Sequence, residues 1–287
     1  MTTLRTAVIT TAHGRHEHLH RQQQVLQALP DPADIRVVVA LDDPGIADVL
    51  QSAGAGPSTT VVDGPRGDHG LAVGAGRNAG AAAARTAGAE LLVFLDVDCL
   101  PGPGTLAAYR RSAAGARRDD LLAGVVAYLP PPPPEGYDLD RLADHPGHPG
   151  RPIPAPGAEI RGDDPRLFWS LSFAVRPEIW DRVGGFDEDF EGYGAEDTDF
   201  AFRADRVGVG LTWVGGAEAY HQWHPSGSPP VRHLDDILRN GELFARRWGF
   251  WPMEGWLRQF AEMGLVRPTT AVGGPADGTA IHGWERT

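Results

Sequence analysis

The chain reads as an α/β protein built on a mostly parallel, twisted sheet flanked by helices, and three observations predict this. Apolar runs of strand length recur at 7–10, 35–41, 59–62, 91–95 and 121–129, with helical patterns between them over 17–29, 47–53, 75–87 and 104–115. Alternation of this kind builds strand–helix–strand units around a parallel sheet. The run Leu91-Leu92-Val93-Phe94-Leu95 is apolar at every position, as a strand must be when both of its faces are covered. It then stops in Asp96-Val97-Asp98, which places two carboxylates at the carboxyl edge where open α/β sheets bind ligands.

Taken in order, the first residues lead straight into the strand at 7–10, which leaves no room for a signal peptide. The second strand ends in Leu41-Asp42-Asp43, and the third, 59–62, is weaker. Gly70-Leu71-Ala72-Val73-Gly74-Ala75-Gly76-Arg77-Asn78-Ala79-Gly80 then enters an Ala-rich helix. Glycines there permit close backbone approach, and a helix start offers unpaired N–H groups to an anion, with Arg77 adding a charge-assisted fork. Tight packing of the helix on the sheet explains the same glycines equally well. After 121–129, the segment 130–157 is so rich in Pro and Gly that it reads as a surface loop, lid or linker. Apolar patterning returns with a strand at 168–175, a short helix from Pro177 to 183, a helix at 197–207, a strand at 211–214 and an amphipathic helix at 234–248. The organisation expected is therefore a nucleotide-binding α/β part over 1–129, the loop 130–157, an acceptor-side part over 158–265 and a weakly structured tail over 266–287.

Composition narrows the function classes. With 26 basic against 38 acidic residues the net charge is −12, which argues against nucleic acid or an anionic membrane as the main partner. An anionic substrate needs a locally positive pocket. No apolar stretch approaches the ~20 residues of a membrane span. The one cysteine, Cys99, excludes an internal disulfide and fits a reducing compartment, so a cytoplasmic protein is expected.

Three constellations carry chemistry. Residues two apart in an extended chain point the same way, so Asp96 and Asp98 can share one task, and paired hard oxygens suit a divalent cation holding a diphosphate. The competing reading is that Asp merely ends the strand before the turn Pro101-Gly102-Pro103-Gly104. The stretch from Gly185-Phe186-Asp187 through Glu191-Gly192-Tyr193-Gly194-Ala195-Glu196-Asp197 combines glycines, an aromatic and a Glu-Asp pair at a helix start. Acids in a first helical turn are ordinary dipole partners, but the mixture also suits a sugar: an aromatic face for C–H groups, one carboxylate for hydroxyls, another to take a proton. In Tyr220-His221-Gln222-Trp223-His224-Pro225, two imidazoles three residues apart are candidate metal ligands.

Together these features resemble the nucleotide-sugar glycosyltransferases of the GT-A fold, specifically family 2 and the β-1,4-galactosyltransferase group. Thr11-Ala12-His13-Gly14-Arg15-His16-Glu17-His18-Leu19 resembles the latter's opening motif, Leu41-Asp42-Asp43 the acidic end of the second strand in family 2, and the Arg77-Asn78 and Asp96-x-Asp98 pairs the phosphate-side and metal motifs. Gly185-Phe186-Asp187 and Glu191 to Asp197 are similar to the Gly-Phe-Asn and Trp-Gly-Trp-Gly-Gly-Glu-Asp segments. The resemblance implies that Thr11 lies at the nucleotide, that Arg15 and Arg77 contact the diphosphate with Asn78 beside them, that Asp42 meets the nucleoside, and that Asp96 bridges ribose and metal surroundings. It assigns Asp98 and His224 to the metal, Mn²⁺ or Mg²⁺, with His221 where the group has a methionine ligand. Asp197 becomes the general base and Glu196 a sugar-hydroxyl ligand. Ala12, His13 and Tyr193 depart from the group's residues, so the base-stacking contact and the donor and acceptor preferences do not transfer. The activity implied is metal-dependent, inverting transfer from a nucleoside diphosphate sugar, UDP-linked, to a hydroxyl acceptor. A sugar-phosphate nucleotidyltransferase and a non-catalytic nucleotide- or carbohydrate-binding protein are the alternatives; the first is disfavoured by the absence of a Gly-rich Arg/Lys loop after the first strand.

Overall fold

A nine-stranded mixed sheet runs through the computed structural model, which describes residues 4–272 and 281–287. In chain order the elements are β1 (Thr6–Ala12), α1 (His16–Ala28), β2 (Ile35–Ala40), α2 (Ile46–Ser52), β3 (Thr59–Asp63), α3 (Val73–Thr86), β4 (Leu91–Leu95), β5 (Cys99–Pro101), α4 (Thr105–Ala114) and β6 (Leu121–Tyr128). They continue with β7 (Glu159–Gly162), β8 (Ser172–Val175), α5 (Pro177–Val183), α6 (Glu196–Arg206), β9 (Leu211–His221), α7 (Leu234–Trp248), α8 (Glu254–Glu262), β10 (Val266–Val272) and β11 (Ile281–Arg286). The large sheet has the order β3-β2-β1-β4-β8-β6-β9-β5, with β7 also paired to β9.

β1 to β4 are mutually parallel, as the alternation predicts, whereas β8 is antiparallel to both β4 and β6. Because β8 is inserted between β4 and β6, residues from 158–265 complete the sheet begun by 1–129. The start of β8 consequently lies at the carboxyl end of β4, where Leu95 faces Ser172.

The continuous apolar pattern of β4 has the cause expected of it. Leu92 and Phe94 enter a core with Phe168, Phe173, Trp180, Phe186, Phe200 and Trp213, while Leu91, Val93 and Leu95 enter a second core with Leu26, Tyr109 and Val126 on the opposite face. Phe94 stacks on both Phe173 and Trp180, with ring centroids 4.6 and 4.8 Å apart. Truncating so enclosed a ring costs about 3–5 kcal/mol.

The glycines of α3 serve close packing. A Cβ on Gly80 would lie 2.5 Å from Ile9 Cγ2, and one on Gly76 2.7 Å from Leu41 Cδ2, so the helix lies directly on β1 and β2.

Several boundaries differ from expectation. β8 starts four residues later than 168, since Phe168 turns inward as core, and β9 runs seven residues beyond 214 because its far end pairs with β5. The tail is not unstructured where it is described: β10 and β11 pair antiparallel, and Val266 and Trp284 dock on Leu257 and Phe260 of α8. Two apolar anchors in a polar segment suffice there, which composition alone does not reveal; residues 273–280 of that tail lie outside the described residues. Among the described residues no helix is long and apolar enough to cross a membrane.

Candidate active site

The three residues Cys99–Pro101 form β5 by pairing with Ala219 to His221 at the end of β9, Cys99 opposite His221. That short ladder carries Asp98 to the two histidines. Asp98 Oδ2 lies 3.4 Å from His221 Nε2 and 3.5 Å from His224 Nε2, and the three ligand atoms lie within 4.8 Å of one another. Burial opposes ionisation of Asp98, but the hydrogen bonds and charge of His221 and His224 outweigh it and hold the carboxyl well below the usual carboxylate range. A carboxylate facing two imidazole nitrogens at this spacing is a donor set for one divalent cation. Two nitrogen ligands suit Mn²⁺ better than Mg²⁺, which favours oxygen throughout.

Helix α1 holds this loop in place. Arg21 Nη1 donates to Gln222 Oε1 at 2.5 Å, Gln222 Nε2 donates to the His18 carbonyl at 3.2 Å, and Gln222 N–H donates to the Asp98 carbonyl at 2.7 Å. Gln22, fully buried, donates to the carbonyls of Asp96 at 2.7 Å and Cys99 at 2.9 Å, so it fixes the turn bearing both acids. Tyr137, from the Pro-rich loop, accepts the Trp223 N–H at 3.0 Å. A sequence pattern does not single out Gln22, Gln222 or Tyr137, because each is an ordinary helix or loop residue until the chain folds.

Beside the Asp98, His221 and His224 cluster, Arg77 Nη2 donates to Asp96 at 2.9 Å and Nη1 lies 3.5 Å from Glu196 Oε1. One guanidinium thus ties the end of β4 to the start of α6. Burial disfavours the Arg77 charge, but Asp96 and Glu196 hold it on. Burial pushes the Asp96 carboxyl up, with Arg77 pulling the other way. Glu196 Oε2 is buried with no hydrogen-bond partner among the described residues.

Asp197 follows at the α6 start, its Oδ1 accepting the Thr198 N–H at 2.7 Å. Desolvation and the neighbouring Glu196 push its carboxyl up to about 7, against Arg77 and Thr198. That range lets a carboxyl act as a base near neutrality. The approach to α6 requires left-handed backbone at Gly192, Gly194 and Ala195, with φ of 73°, 94° and 74°. Asn240 of α7 clamps it by donating to the carbonyls of Glu191 at 2.8 Å and Gly194 at 2.9 Å. Tyr193 is left partly exposed, stacked on His233 with centroids 4.4 Å apart.

The other sequence-derived candidates divide. Arg15 adopts φ 50° at the entrance of α1, and its charge is felt by His221, so it belongs to the same rim. Thr11 lies buried at the end of β1 against the Gly76 position. Asp42 is exposed and paired with Arg66 at 2.9 Å, while its neighbour Asp43 orders the turn by accepting from Gly14 N–H at 2.8 Å, Gly45 N–H at 3.0 Å and the His16 ring. Asn78 is engaged by the 184–188 turn: its amide accepts the Phe186 N–H at 2.8 Å and donates to the Phe186 carbonyl and Glu188, strapping that turn to α3. The adjacent Arg77 points instead to Asp96 and Glu196, because a helix turns by about 100° per residue.

The architecture is the GT-A fold that the motifs resemble, and three comparisons with known proteins bear on the chain. Residues 164–224 match the family described as the N-terminal domain of galactosyltransferase. The chain is 32% identical over 211 residues to validoxylamine A glucosyltransferase of Streptomyces hygroscopicus subsp. jinggangensis (strain 5008), covering 63% of this chain and 46% of that protein. The counterpart from subsp. limoneus is equally similar, with 42% of its length covered, so the chain spans less than half of these relatives. Among solved structures it is similar to the mannosyltransferase PcManGT from Pyrobaculum calidifontis in complex with GDP-Man and Mn²⁺, with TM-score 0.58, 18% identity, and 92% of this chain and 71% of that one covered. It is also similar to GalNAc-T7 with UDP, GalNAc and Mn²⁺, with TM-score 0.56, 15% identity and coverages of 86% and 51%. At these identities the structural likeness establishes the fold.

Proposed function

We propose that the chain catalyses Mn²⁺-dependent, inverting transfer of a hexosyl group from a UDP-sugar to an acceptor hydroxyl. The observation that carries this reading is the convergence of Asp98, His221 and His224 beside the Arg77 guanidinium that joins Asp96 to Glu196. Asp98, His221 and His224 would hold the cation, whose bound charge would offset that of the departing diphosphate. Arg77 and Arg15 would add positive charge at the same diphosphate, a stabilisation that grows as the leaving group departs. The unpartnered Glu196 Oε2 would accept a hydrogen bond from a hydroxyl of the donor sugar. Asp197 would take the proton of the acceptor hydroxyl as its oxygen attacks the anomeric carbon on the face opposite the diphosphate, which inverts that centre.

The glucosyltransferase names of the relatives make UDP-glucose the first donor to assay. Cys99, buried and unpaired, suits a reducing compartment, and a cytoplasmic location is part of the proposal. UDP-glucose incubated with the protein and Mn²⁺ should release UDP, and EDTA should stop it. Release that continues unchanged in EDTA, or no release from any of a panel of UDP-sugars, rejects the proposal.

A further inference from the structure

Among the described residues, four arginines are buried to 7% exposure or less: Arg36, Arg77, Arg110 and Arg151. Arg77 is paired with Asp96 and Glu196, and Arg110 with Asp31 and Asp34. Arg36 lies near the start of β2, at the opposite end of the strand from the catalytic edge, and reaches Ser58. Arg36 and Arg151 are alike in that, among the described residues, no carboxylate forms an ion pair with either, and one guanidinium nitrogen of each, Nη1 of Arg36 and Nη2 of Arg151, is buried without a hydrogen-bond partner. Arg151 differs from Arg36 in where it lies.

The surroundings of Arg151 connect it to the catalytic edge. Its guanidinium carbon is 4.1 Å from the centre of the Trp169 ring and 5.8 Å from that of Trp213. Trp169 lies two residues before Leu171, whose carbonyl accepts the Asp96 N–H at 3.0 Å. His148 meets Trp169 edge to face at 5.1 Å and Tyr128 at 5.7 Å, and Tyr128 lies 4.8 Å from the His221 ring. Arg151 therefore ends a row of rings that begins at a metal ligand, and the field of Asp197 reaches it. Aromatic faces hold a guanidinium but neither satisfy its N–H donors nor neutralise its charge, and an unpaired charge withdrawn from water is costly.

We infer that Arg151 binds an anionic substituent, a carboxylate or phosphate, on the acceptor, and so brings the acceptor's hydroxyl to Asp197. The row Tyr128, His148 and Trp169 supplies the apolar wall along which such an acceptor lies. Arg151 is on this account a specificity-determining residue; it would also supply the local positive charge that a chain of net charge −12 needs to attract an anion. The inference rests on the proposed transferase reading, which fixes Asp197 as the base.

The test uses the full chain loaded with UDP and Mn²⁺, and calorimetric titration of matched pairs: methyl β-D-glucuronide against methyl β-D-glucoside, and glucose 6-phosphate against glucose. At least one anionic sugar should bind tenfold or more tightly than its neutral twin, and the pair that responds tells carboxylate from phosphate. Arg151→Met should remove that preference, and Arg151→Lys, which keeps the charge but loses the fork, should retain part of it. Thermal melting confirms that each variant is folded; should the methionine variant not fold, the lysine variant must show a preference reduced at least threefold. Equal binding within both pairs, or a preference undiminished in the variants, overturns the Arg151 assignment alone. Absence of UDP binding removes the transferase reading and this inference with it.

Discussion

Cys99 of β5 pairs with His221 of β9, and this one backbone register sets the Asp98 carboxylate 3.4 Å from the His221 ring. The neighbouring His224 then completes a set that requires no side chain to travel. A preformed site of this kind ties cation affinity to the carboxylate that faces both rings. Asp98→Ala should weaken Mn²⁺ binding by at least about 100-fold, beyond the roughly 10–100-fold typical of removing a supporting residue. The loss of the free-ion electron paramagnetic resonance signal on adding protein measures it, and an affinity unchanged in the variant would remove Asp98 from the site.

Asp197 carries a prediction in which stability and activity move in opposite directions. Its carboxyl is pushed up to about 7 in the folded chain, whereas an unperturbed Asp titrates near ~3.9. The folded state therefore holds the proton more tightly, and the stability this contributes is present at low pH and is lost as pH rises from ~4 through 7. Asp197→Asn should raise the melting temperature at pH 8 and not at pH 4, while lowering kcat by about 10²–10⁴. A variant with full turnover refutes the base assignment.

The same group sets the pH profile. If Asp197 is the base, as proposed, its ionised form is required, and kcat/KM of the wild-type protein should climb as pH rises toward about 7 and level above it. A rate that falls over that interval contradicts the assignment.

Asn240 acts only as a positioning residue, holding the carbonyls of Glu191 and Gly194 in the loop that presents Glu196 and Asp197. Asn240→Ala leaves the Gly194 carbonyl without its side-chain donor and the Glu191 carbonyl with Arg239 alone, at about 1–3 kcal/mol. Melting should drop by several degrees, and kcat should fall more than the affinity for UDP. An effect on UDP affinity alone would mean that the loop serves the nucleotide instead.

Gly80→Ala tests the packing of α3. The added methyl meets Ile9 Cγ2 at 2.5 Å and Val39 Cγ2 at 3.0 Å, both on strands that cannot yield without moving the sheet. A loss of about 1–3 kcal/mol is expected from overpacking, read as a lower denaturant midpoint. A neutral or stabilising result would show that the helix is free to shift.

Features encoded in short segments were legible from the residues. The apolar run of β4 announces burial on both faces, its terminal Asp96-x-Asp98 announces a ligand edge, and the order of the later motifs points to Glu196, Asp197, His221 and His224. Features that depend on distant partners were not. β5 is a strand only because β9 lies beside it, and the tail is ordered where described because Val266 and Trp284 find α8. Asn78 carries the residue type of a phosphate ligand but is spent on Phe186 and Glu188, and Asp43 rather than Asp42 organises the second turn. Arg151 lies in a Pro-rich loop whose composition suggests only a solvated surface, yet it is buried between two tryptophans. The spacing of α3's glycines fits a phosphate loop and a packing face alike, and contacts with Ile9 and Leu41 decide for packing.

Calorimetric titration of UDP into the protein, with Mn²⁺ and then with EDTA, addresses the central claim most directly, because cation and diphosphate are proposed to share one site. Micromolar binding in Mn²⁺ that weakens at least a hundredfold in EDTA is the result expected of Asp98, His221 and His224 acting together. The same affinity under both conditions, or none under either, contradicts it.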